Sequence, residues 1–193
     1  MTVYCATGNT GKLKEFQLAA MGTGIDVALL PGFREIPECE EDGATFAENA
    51  AIKARHYGPH AAGVLFADDS GLVVDALDGA PGVHSARFAG PGANDERNSR
   101  LLLEKLRGVR HRTARFVCVI ALAQGAKVRS LFEGSVEGVI LEEPSGAGGF
   151  GYDPLFYYPP LGCTFGEAAE ERKLAVSHRG QAFGKMLRSL QTQ

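Results

Sequence analysis

The chain opens with a short apolar run, Val3 to Thr7, that passes directly into Gly8-Asn9-Thr10-Gly11 and Lys12. From Lys12 to Met21, Leu13, Phe16 and Ala20 recur at helical spacing. Strand, glycine turn and helix in this order commit the N-terminus to an α/β unit. They also aim backbone N–H groups and a positive helix end at an anion. The turn is not a P-loop, which has four residues between its glycines and a Ser or Thr after the lysine. Here only Asn9 and Thr10 intervene, and Leu13 follows Lys12. A phosphate cradle is still sensible, with Lys12 as a charged arm and Asn9 as a neutral donor.

The rest of the chain keeps alternating. Asp26 to Leu30 reads as a second strand, ended by Pro31-Gly32, and an acidic loop follows from Glu38 to Asp42. Thr45-Phe46-Ala47-Glu48 is a capping box, so a helix is expected from there to about Tyr57. Phe46, Ala50, Ala54 and Tyr57 form its apolar stripe, while Asn49 and Lys53 share another face. Val64 to Ala67 and Leu72 to Val74 read as two strands, which places Asp68-Asp69 at the junction between them. Pro81 to Gly92 reads as a long loop, and Asn94 opens a helix to about Leu106 with Leu102, Leu103 and Leu106 buried. Ala114 to Ala123 and Val128 to Ile140 make an antiparallel hairpin turned at Gln124-Gly125, with a glycine irregularity at Gly134. A glycine loop from Ser145 to Pro154, a short helix from Glu167 to Leu174 and an amphipathic helix from His178 to Leu190 complete the chain. No internal repeat and no linker interrupts this order. The expectation is one α/β domain over residues 1–193 with a mixed sheet.

Composition narrows the function. The 25 glycines among 193 residues cluster at Gly8 to Gly11, Gly79 to Gly92 and Gly146 to Gly151, where tight turns or close backbone approach to a phosphate are needed. A formal charge of −3 argues against bulk binding to duplex nucleic acid or anionic membrane. No apolar run approaches the ~20 residues of a membrane helix. With no secretion-type N-terminal stretch, the expected compartment is the cytoplasm. The four cysteines, Cys5, Cys39, Cys118 and Cys163, form no CxxC pair and read as reduced thiols.

Three further groups carry chemistry. Asp68 and Asp69 are hard oxygen ligands of the kind magnesium takes alongside waters and substrate phosphates; the plainer reading is a solvated turn. Glu40 and Glu41 are ambiguous in the same way, since acidic runs are usually solvated faces. Lys173 and the pair His178-Arg179 are donors suited to a carbonyl or phosphate, and Phe150 and Tyr152 offer aromatic faces on which a base could stack. Together these features describe a magnesium-dependent nucleotide site.

On these residues the chain resembles the Ham1-like family of inosine/xanthosine triphosphate pyrophosphatases. The matching segments are Thr7-Gly8-Asn9 with Lys12, Thr45 to Ala50 with Lys53-Ala54, and Ala67 to Leu72. They continue through Gly79 to Val83, Ser85-Ala86-Arg87, Gly148 to Pro154 and Ser177 to Gly180. The resemblance implies an α/β fold with an elongated mixed β-sheet flanked by helices, in two lobes with a central cleft. It implies magnesium-dependent hydrolysis of ITP, dITP and XTP to nucleoside monophosphate and pyrophosphate, cleansing the nucleotide pool, by a homodimer. By the same resemblance, Thr7, Gly8, Asn9, Thr10, Gly11 and Lys12 hold the triphosphate, and Ser70 contacts substrate. Phe150, Gly151, Tyr152, Asp153, Lys173, His178 and Arg179 shape the base and sugar pocket. Glu40 and Asp69 bind magnesium, with Asp69 also the general base; Glu41 can exchange roles with Glu40. Spacing alone does not choose between attack at the α- and γ-phosphorus. A non-catalytic nucleotide-binding regulator and a phosphatase releasing orthophosphate are the alternatives.

Overall fold

Parallel pairing of the first strand with both its neighbours decides the architecture. In the computed structural model, which describes residues 1–191, β1 (Thr2–Cys5) lies parallel to β2 (Asp26–Leu29), with Thr2 opposite Asp26 and Cys5 opposite Leu29. It is also parallel to β3 (Val64–Val74), with Tyr4 opposite Leu65 and Cys5 opposite Phe66. Parallel neighbours need crossovers, here α1 (Thr10–Ala20) and α2 (Phe46–Tyr57). The chain steps from β1 to β2 and then back past β1 to β3. Two right-handed crossovers running in opposite directions put α1 and α2 on opposite faces of the sheet. Strand order therefore reverses at β1, and the carboxyl ends of strands at such a reversal are where open α/β sheets bind ligands.

The remaining elements are α3 (Asp95–Lys105), β4 (Thr113–Gln124), β5 (Lys127–Ile140), β6 (Phe156–Tyr158), β7 (Cys163–Thr164), α4 (Glu170–Val176) and α5 (His178–Gln191). The seven strands are ordered β2-β1-β3-β4-β5-β6-β7, and β5, β6 and β7 pair antiparallel. The expected α/β fold with a mixed sheet is the one observed.

The chain divides into two compact units, each with its own core. The first comprises Met1–Asp69, Cys118–Gly134 and the chain from His178 onward. Its centre is an aromatic trio, Phe16 of α1, Phe66 of β3 and Phe183 of α5, with ring centroids 5.0 to 5.5 Å apart. The second comprises Ser70–Val117 and Ser135–Ser177. Leu72, Leu102, Leu106, Phe116, Phe156 and Phe165 fill it. Within it the buried Arg112 donates to the carbonyls of Leu106, Ile140 and Leu141, each at 2.8 Å. One guanidinium thus satisfies the chain ends of α3 and β5.

The structure corrects the sequence reading at several points. Asp68-Asp69 is not at a junction, because β3 runs unbroken from Val64 to Val74. The stretch Gly82–Arg87 is a 3₁₀ helix within the expected loop. Leu103 is only partly buried. The short helix starts at Glu170, since the Glu167 carboxylate instead accepts from Thr164 N and Ser145 Oγ, both at 2.8 Å. Gly134 marks no irregularity in β5. It is needed because a Cβ there would stand 2.6 Å from Ala182 N and 2.8 Å from Gln181 Cβ, against the backbone of α5. Among the described residues no helix is long and apolar enough to cross a membrane.

Candidate active site

The site in the first unit begins where β1 ends. Thr7 Oγ1 accepts from Asn9 N at 3.1 Å, which shapes the glycine turn. Asn9 then caps α1, its Oδ1 accepting from Lys12 N at 3.0 Å. The cap consumes the amide oxygen of Asn9 and leaves its NH₂ end as the donor. No acidic residue stands in the first turn of α1, so the positive end of the helix is not neutralised from within. Gly8, Asn9 and Thr10 are exposed above it.

Alternation along β3 sends Asp68 and Asp69 to opposite faces just beyond the carboxyl end of β1. Asp68 shares its face with Phe66, against which α1 packs, and Lys12 Nζ donates to its Oδ2 at 2.8 Å. Asp69 faces α2. There Asn49 Nδ2 donates to Asp69 Oδ2 at 3.2 Å, and Lys53 Nζ lies 3.3 Å from Oδ1. Lys53 also pairs with Glu41 at 2.8 Å. The other end of Asn49 accepts from Gly43 N at 2.8 Å, so one buried amide ties the acidic loop to Asp69. The loop is further held by Tyr57 Oη, which accepts from Cys39 N at 3.3 Å.

Burial and cations compete at these carboxyls. Burial alone raises Asp68, but Lys12, Arg179 and Lys53 outweigh it and hold the group at about 2. At Asp69 burial prevails over Lys53 and Lys12, helped by Glu41 and Asp68, and its carboxyl rises above the ordinary range. Lys53 is raised as well: burial pulls it down, and Asp69, Asp68 and Glu41 more than restore it. Arg179, at the start of α5, is buried and ion-paired with Glu15 of α1. His178 is buried beside it.

A second cluster lies in the second unit. Asp153 Oδ2 accepts from Phe150 N at 2.9 Å and pairs with buried Lys173 at 2.5 Å. The Lys173 ammonium stands 5.1 Å from the Phe150 ring centroid. Tyr152 Oη donates to Ser85 O at 2.8 Å, and Ser85 Oγ accepts from Leu72 N at 2.9 Å. Ser70, half-buried, follows Asp69 in β3.

The structure thus gathers Thr7 to Lys12, Lys53, Asp68 and Asp69 in the first unit. It gathers Phe150, Tyr152, Asp153 and Lys173 in the second. Glu40 is exposed, and Glu41 is the neighbour that reaches Lys53. Sequence reasoning missed two supports. Asn49 was visible as the partner of Lys53 on one helix face, but its two-ended amide role was not. Glu15 was marked only by lying three residues after Lys12 on α1.

Magnesium commonly takes one or two protein carboxylates together with waters and phosphate oxygens. Asp69 and Glu41, both facing the Lys53 ammonium, fit that donor set. Among the described residues no group of three or more His, Cys, Asp and Glu forms a closed cage.

The model of the Ham1 family matches residues 3–189. The chain belongs to the Ham1 family. A dITP/XTP pyrophosphatase of Exiguobacterium sp. strain AT1b is 50% identical over 186 residues, 96% of this chain and 95% of its own. One from Listeria monocytogenes is 48% identical over 190 residues, 97% of this chain and 94% of its own. Among solved structures, a Ham1 protein of Coxiella burnetii superposes with TM-score 0.89 at 39% identity, covering 100% of both chains. The Ham1 protein of Staphylococcus aureus gives 0.87 at 36%, covering 100% of this chain and 99% of its own.

The Asp68 ion pair makes stability depend on acid. A carboxyl held at about 2 in the fold, against 3.8 ordinarily, stabilises fully above the higher value and is lost as pH falls through the lower one. Urea unfolding of the parent and Asp68→Asn should differ by a constant amount above pH ~5. The gap should narrow by about 2 kcal/mol on going to pH ~2. A gap that does not change with pH would show that the pair contributes packing and not charge.

Proposed function

We propose that this chain hydrolyses dITP, ITP and XTP at the α-phosphorus, giving the nucleoside monophosphate and pyrophosphate with magnesium as cofactor. The observation that carries the reading is a helix N-terminus bare of acidic side chains, opening beside two buried carboxylates and their half-buried lysine partners at the reversal of strand order. The names and near full-length similarity of the dITP/XTP pyrophosphatases support it. Attack at α, the homodimer and the cytoplasmic pool of free nucleotides are extended from the family resemblance. Sedimentation of the purified protein tests the dimer.

Thr7 to Lys12 offer backbone N–H groups, the Asn9 amide and the Lys12 ammonium to the triphosphate, with Ser70 as a further substrate contact. Asp69, made more basic by burial and by its acidic neighbours, accepts the proton of the attacking water. Asn49 and Lys53 fix both oxygens of that carboxylate from α2. Asp69 and the acidic loop would hold magnesium, which when bound would neutralise charge developing on the phosphoryl oxygens. Gly151, Asp153 and Lys173 serve the base and sugar, where the half-buried Phe150 offers aromatic surface and the buried Tyr152 holds the turn through Ser85. His178 and Arg179 are read, by the family resemblance, as donors to the base edge. Hypoxanthine and xanthine carry a carbonyl at position six, which accepts from such donors, whereas adenine presents an amino group. A site whose buried donors lose their acceptor discriminates by ~10⁴ or more.

Product analysis on dITP is the decisive measurement. Pyrophosphate and monophosphate in equal amounts are expected, with turnover reduced at least ~100-fold in folded Asp69→Asn. Orthophosphate as the product would establish the phosphatase reading, and binding without turnover the regulator.

Glu40 and Glu41 compete for the role of metal ligand in the acidic loop, and the Lys53 ion pair that brings Glu41 toward Asp69 favours Glu41. Glu41→Gln should raise the magnesium concentration for half-maximal activity about tenfold, as loss of one carboxylate ligand predicts, and Glu40→Gln should leave it unchanged. The opposite pattern would return the role to Glu40.

For the base readers, His178→Ala and Arg179→Ala should each lower the ratio of kcat/KM for ITP over ATP by at least ~10-fold. A ratio kept in folded protein would remove both residues from base recognition.

A further inference from the structure

Asp95 is the first residue of α3, yet it is not needed to cap that helix. Asn94 does so, its Oδ1 accepting from Arg97 N at 2.9 Å. The Asp95 carboxylate reaches another part of the second unit, where its Oδ2 accepts from Gly151 N at 2.6 Å across 56 positions of sequence. Gly151 has φ +63° and sits at the centre of the turn from Gly149 to Asp153. The flanks of that turn have other anchors: Asp153 receives Phe150 N and Lys173, and Tyr152 donates to Ser85. The central peptide is held by Asp95. Phe150 precedes it with a half-buried ring, 5.1 Å from the Lys173 ammonium.

We propose that Asp95 is a positioning residue for purine binding: its hydrogen bond to Gly151 sets the Gly149–Asp153 turn and with it the plane of the Phe150 ring. The inference rests on the reading of this turn as part of the base pocket. A carboxylate suits the task because an ionised acceptor binds a backbone N–H more strongly than a neutral one, and a negative charge is favoured at a helix N-terminus. The second property is shared by Glu96, exposed in the same first turn and paired with Arg100 at 2.9 Å. Glu96→Gln therefore removes a comparable helix-end charge without touching the turn.

The test combines steady-state kinetics on dITP with NMR amide exchange at Gly151 in the parent, Asp95→Ala, Asp95→Asn and Glu96→Gln. Asp95→Ala should raise KM about tenfold with kcat within about twofold, the loss expected for one charge-assisted bond used in binding. Asp95→Asn, which keeps an acceptor oxygen, should fall between, and Glu96→Gln should match the parent. The Gly151 amide should be protected in the parent and Glu96→Gln and exchange freely in Asp95→Ala. Should Asp95→Ala fail to fold, Asp95→Asn carries the same comparison. An active parent with KM unmoved in the Asp95 variants, equal effects of Asp95→Ala and Glu96→Gln, or a freely exchanging Gly151 in the parent overturns the proposal alone. A parent that does not turn over dITP, ITP or XTP overturns the functional reading and this proposal with it.

Discussion

Two neighbouring carboxylates buried in a sheet strand repel one another and lose hydration, so each needs a compensating cation, donor or proton on its own side. Asp68 and Asp69 meet that condition because the strand order reverses at β1 and delivers one helix to each face. α1 brings Lys12 to the first carboxylate and α2 brings Lys53 to the second. The two pairs are not independent. Lys53 helps hold Asp68 ionised, and Lys12 tempers the rise at Asp69. The outcome is a division of labour between adjacent residues: one acid locked as an anion, the other left more basic than usual. Environments that push the two acids apart in this way are the kind that let neighbouring carboxyl groups take different roles.

The second unit solves a related problem with fewer charges. Asp153 and Lys173 are both buried and pair directly, and the same carboxylate collects the Phe150 N–H. The lysine then sits near the rings of Phe150 and Phe165. A buried ion pair of this kind gains little net stability over apolar packing, but it fixes geometry. Here it fixes the loop in which glycines permit backbone turns that other residues resist.

Much of this was legible in the sequence. The capping box at Thr45 and Glu48 forms as written, and the strand, glycine turn and helix at the N-terminus appear within a residue or two of expectation. Those signals are local, set by period and cap chemistry. The reading failed where a long-range contact decides the outcome. Asp68-Asp69-Ser70-Gly71 looks like a turn by composition, yet β3 continues through it because neighbouring helices neutralise the charges. Gly134 looks like a strand defect, yet its reason lies in a helix more than forty residues later. Which of Glu40 and Glu41 turns toward Lys53 depends on the path of the loop, which no spacing rule encodes.

Gly134 carries one more implication. The backbone of α5 rests directly on it, and the first residues of that helix are His178 and Arg179. Arg179 in turn helps keep Asp68 an anion. A single methyl group introduced at Gly134 would press on the backbone of α5, the helix that carries this buried guanidinium. Mutational tolerance at this glycine is accordingly set by the α5 backbone resting on it, so a change on a strand would be felt first at the opening turn of a distant helix.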